Sequence, residues 1–457
     1  MSSYTQATEH DIEQMLAAIG VSSVDELFAD IPQEVMFDRA LDLPAGKPEQ
    51  QVYAELAALA AKNTSAEDEV TFLGAGMYDH YVPAVIDTLL SRAEFLTPYT
   101  PYQPEVSQGG LQVMFEYQTA ISELTGLPIS NASLYEGPSA VGAAAYLAKL
   151  ANGRRRHLVS RGVHPHSRET LETLAVGYGT EVEEVPLADG RTDLEALKGM
   201  LTDEVGVVIL QQPNFLGSVE DLRPLVEAAK AVGALVVLSC DPIPMGILET
   251  PGDLGVDVAV GEGQTLGNRL DYGGPSFGFF AATQEHIRRM PGRIAGETVD
   301  VDGRRGWVLT LQTREQHIRR EKATSNICTA QALNALAGVV YLSWLGRKGL
   351  VELCELLVKR TAYARQQLAA IDGVDLLHGQ PVIREFAVNL DAPVQRVIER
   401  CQIDGVNPGY ALGRDYPEYP NALLVALTER RDRSDIDRLV STLAAAVAAE
   451  RNAEVAA

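Results

Sequence analysis

Asp241 stands directly after the apolar run ALVVLSC, at the carboxyl edge of a predicted strand. An acid there can pair with the ring nitrogen of a cofactor such as pyridoxal phosphate and keep it protonated, which makes the ring an electron sink. It can equally be an ordinary strand-end aspartate opening the turn DPIP. A self-sufficient pyridoxal site also needs a lysine to hold the aldehyde as an imine, at the next strand-to-loop junction. That junction lies in GEGQTLGNRLDYGGPSFGFFA, Gly261–Ala281, where Gln264 and Thr265 take the position of the amine. No lysine falls between Lys230 and Lys322. Lys230 sits in a predicted helix ahead of Asp241, and Lys322 lies in the charged run RREK. The stretch therefore reads as the wall of a cofactor cleft that has no nucleophile.

Three further stretches carry chemistry-bearing residues. In SLYEGPSAVGAAAYLAKL, Gly137 and Ser139 open a predicted helix whose backbone N–H groups suit an anion. Glu136 beside them would repel that anion, which favours a capped helix over a phosphate cradle. In LTPYTPYQPEVSQGG, residues 96–110, Pro98, Pro101 and Pro104 recur at steps of three and favour a stiff, extended chain. Tyr99, Tyr102, Gln103 and Glu105 project from it. Such an arm suits reaching across a subunit boundary, or packing on its own domain. The pair His164 and His166 lacks a carboxylate or cysteine at ligand spacing, so no metal site is expected. The arginine pairs at 304–305 and 319–320 read as solvated surface, or as contacts for an acidic partner.

The elements that would position these residues alternate. Apolar runs at 157–160, 181–186, 206–211, 234–239, 256–261 and 277–282 are separated by amphipathic stretches such as SRETLETLAVGYG and EDLRPLVEAAKAVGA. Continuous apolar strands between such helices predict a mostly parallel sheet covered on both faces. Ligands of such sheets bind beyond the carboxyl ends of the strands, where Asp241 and Gln264 fall. At the N-terminus, Thr8 with Asp11 predicts a capping box for a helix that Gly20 stops, and Ser23 with Glu26 repeats the pattern. Residues 292–326 are polar and rich in Gly and Arg, and read as a surface loop. Two long helices follow, then a smaller α/β unit ending in a helix from Ser434. The expected division is a helical arm over 1–65, a large domain over 66–325 and a small C-terminal α/β domain over 326–457.

Composition narrows the function classes. The 457 residues carry a net charge of −24, which argues against nucleic acid as the main partner. Four scattered cysteines, Cys240, Cys328, Cys354 and Cys401, match no metal or disulfide pattern and read as reduced thiols of a cytoplasmic protein. The opening MSSYTQATEHDIEQ has no signal-peptide pattern, and no apolar run is long enough to span a bilayer.

Several long runs together resemble a known family. FLGAGMYDHYVPAVI, LTPYTPYQPEVSQGGLQVMFEYQT, NASLYEGPSAVGAA, GEGQTLGN with YGGPSFGFFA, and REQHIRREKATSNICT are similar to the α half of the split P-proteins of the glycine cleavage system, the glycine dehydrogenase (decarboxylating) subunit 1 group. The likeness covers essentially the whole chain. It implies a fold type I pyridoxal-transferase architecture and a heterotetramer with a homologous β subunit. It also implies that the β subunit carries the pyridoxal phosphate and its lysine, so that this chain holds no cofactor covalently. The implied reaction decarboxylates glycine and passes the aminomethyl group to the lipoyl disulfide of H-protein. Because sites of this fold lie at subunit interfaces, Tyr99, Thr100 and Tyr102 are the residues expected to enter the partner's site. Two other readings remain open at this point. One is a non-catalytic scaffold that stabilises its partner or docks H-protein. The other is an independent pyridoxal-dependent aminotransferase or decarboxylase, which the missing lysine disfavours.

Overall fold

The computed structural model describes residues 6–37 and 39–455. They form two compact units, one up to Thr64 and one from Ser65 onward. In the first unit, Glu9–Ile19 is a helix whose Thr8 and Asp11 close the expected capping box, and Gly20 ends it in a left-handed conformation. The second capping pair differs from expectation: Ser22, not Ser23, hydrogen-bonds Glu26. A second helix spans Glu49–Ala60, and neither helix buries a residue.

In the larger unit a seven-stranded sheet runs in the order Ile129–Ser130, Gly278–Ala282, Val258–Glu262, Leu235–Cys240, Val205–Gln212, Arg156–Ser160, Glu181–Val185. The five strands from Val258–Glu262 to Glu181–Val185 are mutually parallel, while Gly278–Ala282 pairs antiparallel with both neighbours. Successive side chains of a strand face opposite layers. Val207 and Ile209 accordingly pack with Ala144 and Leu171 of the helices Gly137–Asn152 and Pro165–Tyr178. Val208 and Leu210 face the other layer, with Leu225 of Leu222–Ala231 and Leu353 of Ala332–Leu368. This is an α/β fold with a mostly parallel sheet between helices, as the apolar runs predicted.

The 292–326 segment corrects the sequence reading. Ile294–Val299 and Arg305–Thr310 form an antiparallel hairpin, not a loop. Ala295 and Leu309 pack with Leu111 and Met114 of the helix Gln108–Thr125. The alternating polar residues and the turn DGRRG hid a hairpin that is apolar on one face only. The helix Ala332–Leu368 is broken at Gly346, where φ is +60°, so the two expected helices meet at that residue. Beyond it, a four-stranded antiparallel sheet in the order Val374–Leu376, Glu385–Leu390, Ala422–Ala426, Tyr410–Ala411 is covered by Val394–Ile403 and Arg433–Val455. A separate two-stranded pairing ties this region to the start of the unit, with Val70–Thr71 parallel to Val406–Asn407.

Candidate functional site

A cavity of about 420 Å³ opens beyond the carboxyl ends of the parallel strands. Its wall includes Gln211, Asp241 and Glu262 from three strand ends, Gly137 from the start of a helix, Tyr78 from an N-terminal loop, and Arg384 and Glu385 from the C-terminal sheet. The chain thus folds two sequence-distant segments over one sheet edge. Gly217 makes that approach possible: its φ is +84°, and a Cβ there would stand 2.0 Å from the Glu385 carbonyl oxygen.

Gln264 stands at the junction predicted for the amine and is 1% exposed. Its amide oxygen accepts from Tyr78 N at 2.9 Å, and its amide nitrogen donates to the carbonyls of Tyr78 at 3.1 Å and Asn268 at 2.9 Å. Each polar atom of the side chain is hydrogen-bonded, and it stitches the loop ahead of the Ala84–Leu90 helix to the sheet. No lysine lines the cavity among the described residues. Lys230 ion-pairs with Asp257, which precedes the Val258–Glu262 strand at the opposite end of the sheet. Asp257, Glu285 and His286 gather ligand-type atoms there, but the lysine already supplies a cation to Asp257.

The start of the Gly137–Asn152 helix shows why no anion fits. Gly137 N donates to Glu262 Oε2 at 2.9 Å, and Ser139 N donates to Glu136 Oε1 at 2.9 Å. Pro138 between them has no N–H. Ala140 N reaches the Glu136 carbonyl at 3.2 Å. Every donor of the first turn is therefore committed, two of them to carboxylates. The capped-helix reading holds, with one addition: Glu262 is a second carboxylate that the sequence analysis did not single out. Burial pushes its carboxyl above the usual carboxylate range.

Asp241 is not free to face a ring nitrogen. Its carboxylate is ion-paired with Arg384, whose guanidinium is buried and lies 3.5 Å from the centroid of the Tyr78 ring. The Tyr78 hydroxyl donates to Glu385 Oε2 at 2.7 Å, and Ala75 N donates to Glu385 Oε1 at 2.8 Å. Burial raises the Glu385 carboxyl to about 7, against the lowering pull of Ala75 N–H, the Tyr78 hydroxyl and Arg384. His164 uses both ring nitrogens within the protein: Nδ1 accepts from His166 N at 3.1 Å and Nε2 donates to Ala75 O at 2.9 Å. Burial lowers its pKa to about 4, so it is neutral. Pyridoxal phosphate does not fit this wall: the amine is absent, the phosphate end is closed by carboxylates, and the ring-nitrogen acid is already paired.

The glycine cleavage system P-protein model matches residues 2–443. The chain belongs to that family. It is 49% identical over 445 residues to a probable glycine dehydrogenase (decarboxylating) subunit 1 from Geotalea uraniireducens, covering 97% of this chain and 100% of that one. A relative of the same description from Moorella thermoacetica is 49% identical over 440 residues, covering 96% and 98% of the two chains. A solved glycine decarboxylase (P-protein) in inhibitor-bound form superposes with a TM-score of 0.88 at 44% identity, covering 97% of this chain and 100% of that chain. A cysteine desulfurase from Escherichia coli, at TM-score 0.63 and 16% identity over 86% of this chain and 98% of that chain, shares the fold.

In this P-protein chain the three arm residues lie away from the cavity. Tyr99 is 81% exposed on an irregular segment, and neither it, Thr100 nor Tyr102 lines the cavity. Tyr102 is held by residues on either side of the hairpin: Arg293 Nη2 donates to its hydroxyl at 3.3 Å, and its ring meets His317 edge-on at 5.8 Å between centroids. No helix among the described residues of this P-protein chain is long and apolar enough to cross a membrane.

Proposed function

We propose that this chain is the cofactor-free subunit of a two-chain P-protein. In this reading a homologous subunit 2 holds pyridoxal phosphate through its own lysine, and the chains assemble as a cytoplasmic α2β2 complex. The complex decarboxylates glycine and transfers the aminomethyl group to the lipoyl group of H-protein. The observation that carries the reading is the buried, fully hydrogen-bonded Gln264 where the amine would stand. The cofactor would supply its electron-sink chemistry from the partner subunit.

What this chain adds is the arm. Tyr99, Thr100 and Tyr102 present hydroxyl groups on a proline-stiffened segment, and Tyr102 is oriented by Arg293. Such an arm orients and dehydrates a neighbouring site at low conformational cost. The test is glycine–bicarbonate exchange with each chain alone and with both together. Exchange should require both chains. Replacing Tyr99, Thr100 and Tyr102 by Ala should cut turnover with the complex intact on size exclusion. Activity of this chain alone would refute the reading, whereas dissociation by the triple substitution would favour the scaffold reading.

A further inference from the structure

The cavity persists although its anion end is closed. An unfilled volume of this size removes packing contacts that a collapsed core would keep. Its walls also retain groups that no neighbour satisfies. Thr265 lines it, is 2% exposed, and its hydroxyl has no partner among the described residues. Glu136 engages Ser139 N through one carboxylate oxygen, and its other oxygen has no hydrogen-bond partner among the described residues.

Charge decides what such a cavity accepts. Glu136, Asp241, Glu262 and Glu385 line it, against a single cationic side chain, Arg384. Arg384 is already paired with Asp241, and His164 is neutral. Burial raises the Glu262 carboxyl and brings that of Glu385 to about 7, so the excess negative charge rests on Glu136, next to apolar surface from Leu73, Met77 and Phe215. Low-dielectric walls strengthen the attraction of a buried carboxylate for a cation.

We propose that this cavity binds a small organic cation, an ammonium group on an apolar body of amino-acid size, with Glu136 facing the charge and the unpartnered Thr265 hydroxyl in the same wall. The proposal rests on the reading that the pyridoxal cofactor is held elsewhere. Glu136 caps the helix through one oxygen and leaves the other unpartnered, whereas both oxygens of Glu262 accept backbone N–H groups, from Gly137 at 2.9 Å and from Gln264 at 3.0 Å. The closure that excludes a phosphate is thus the feature that selects an amine.

Choline is the probe, because a quaternary ammonium cannot condense with an aldehyde in the partner subunit. Titrated calorimetrically into the assembled two-chain complex, it should bind saturably with one site per copy of this chain. Glu136→Gln keeps the helix cap, since a glutamine oxygen still accepts from Ser139 N, and should weaken binding on the order of tenfold. Glu136→Ala should abolish the binding. Inorganic phosphate should not compete. No saturable binding, binding insensitive to Glu136→Gln, or competition by phosphate would each overturn the proposal. If choline binds as stated while glycine exchange fails to require this chain, the subunit assignment alone falls. Borohydride trapping of pyridoxal phosphate on this chain would sink both.

Discussion

Gln264 grips Tyr78 by both backbone groups, accepting from its N–H at 2.9 Å and donating to its carbonyl at 3.1 Å. The two residues are 186 positions apart, so one side chain fixes the entry loop onto the end of the sheet. A buried amide that satisfies a buried peptide unit contributes chiefly by avoiding unpaired groups.

Restoring the amine does not restore a cofactor site. Gln264→Lys brings a group with no acceptor against Tyr78 N, and buries an ammonium. It should destabilise the chain by roughly 2–4 kcal/mol. The variant complex should show no more imine absorbance than the parent complex, and borohydride should trap no pyridoxal on this chain. A new chromophore on this chain would contradict the closed-helix argument.

Glu385 should give the protein a pH-dependent stability. Its carboxyl is raised to about 7, so the folded chain holds the proton more tightly than the unfolded chain does. The contribution is present in full below the usual carboxylate range and is lost as pH rises to about 7. At most it amounts to ~3 kcal/mol. Glu385→Gln should flatten the fall in urea midpoint across that window, and an unchanged slope would place the proton elsewhere.

Asp241 and Arg384 should be strongly coupled. Asp241→Ala leaves a guanidinium that is 3% exposed without its carboxylate, at a cost of roughly 3–5 kcal/mol. Pairing it with Arg384→Met should recover much of that loss. Additive effects in a denaturant double-mutant cycle would deny the coupling.

Gly217→Ala should cost roughly 2–4 kcal/mol, combining a positive φ with a Cβ driven onto the Glu385 carbonyl. The urea midpoint should fall with no change in slope. A neutral outcome would mean that the Glu385–Leu390 strand can withdraw from this turn.

The apolar runs made the parallel sheet legible, because both faces are buried and the strands lack polar alternation. Gln264 was legible too, since the absence of an amine needs no geometry. So was Glu136, whose charge beside a helix start announces a cap. Glu262 escaped notice because its role depends on a helix 125 residues away. Arg384 and Glu385 were missed for the same reason: Arg384 meets Asp241 across 143 residues, and no local pattern encodes that meeting. The hairpin at 294–310 was misread because one-sided burial with a glycine at position 296 weakens the period-two signal.

The first turn of the Gly137–Asn152 helix has one more implication. A side chain at position 264 can be exchanged in a single step, yet the donors beside it are already engaged by two acids and interrupted by a proline. Opening a phosphate cradle at this turn would require several coordinated changes, each useless without the others. On the proposed two-chain reading, hydrogen bonding at this turn would lock in the division of labour and leave no short path to a self-sufficient chain.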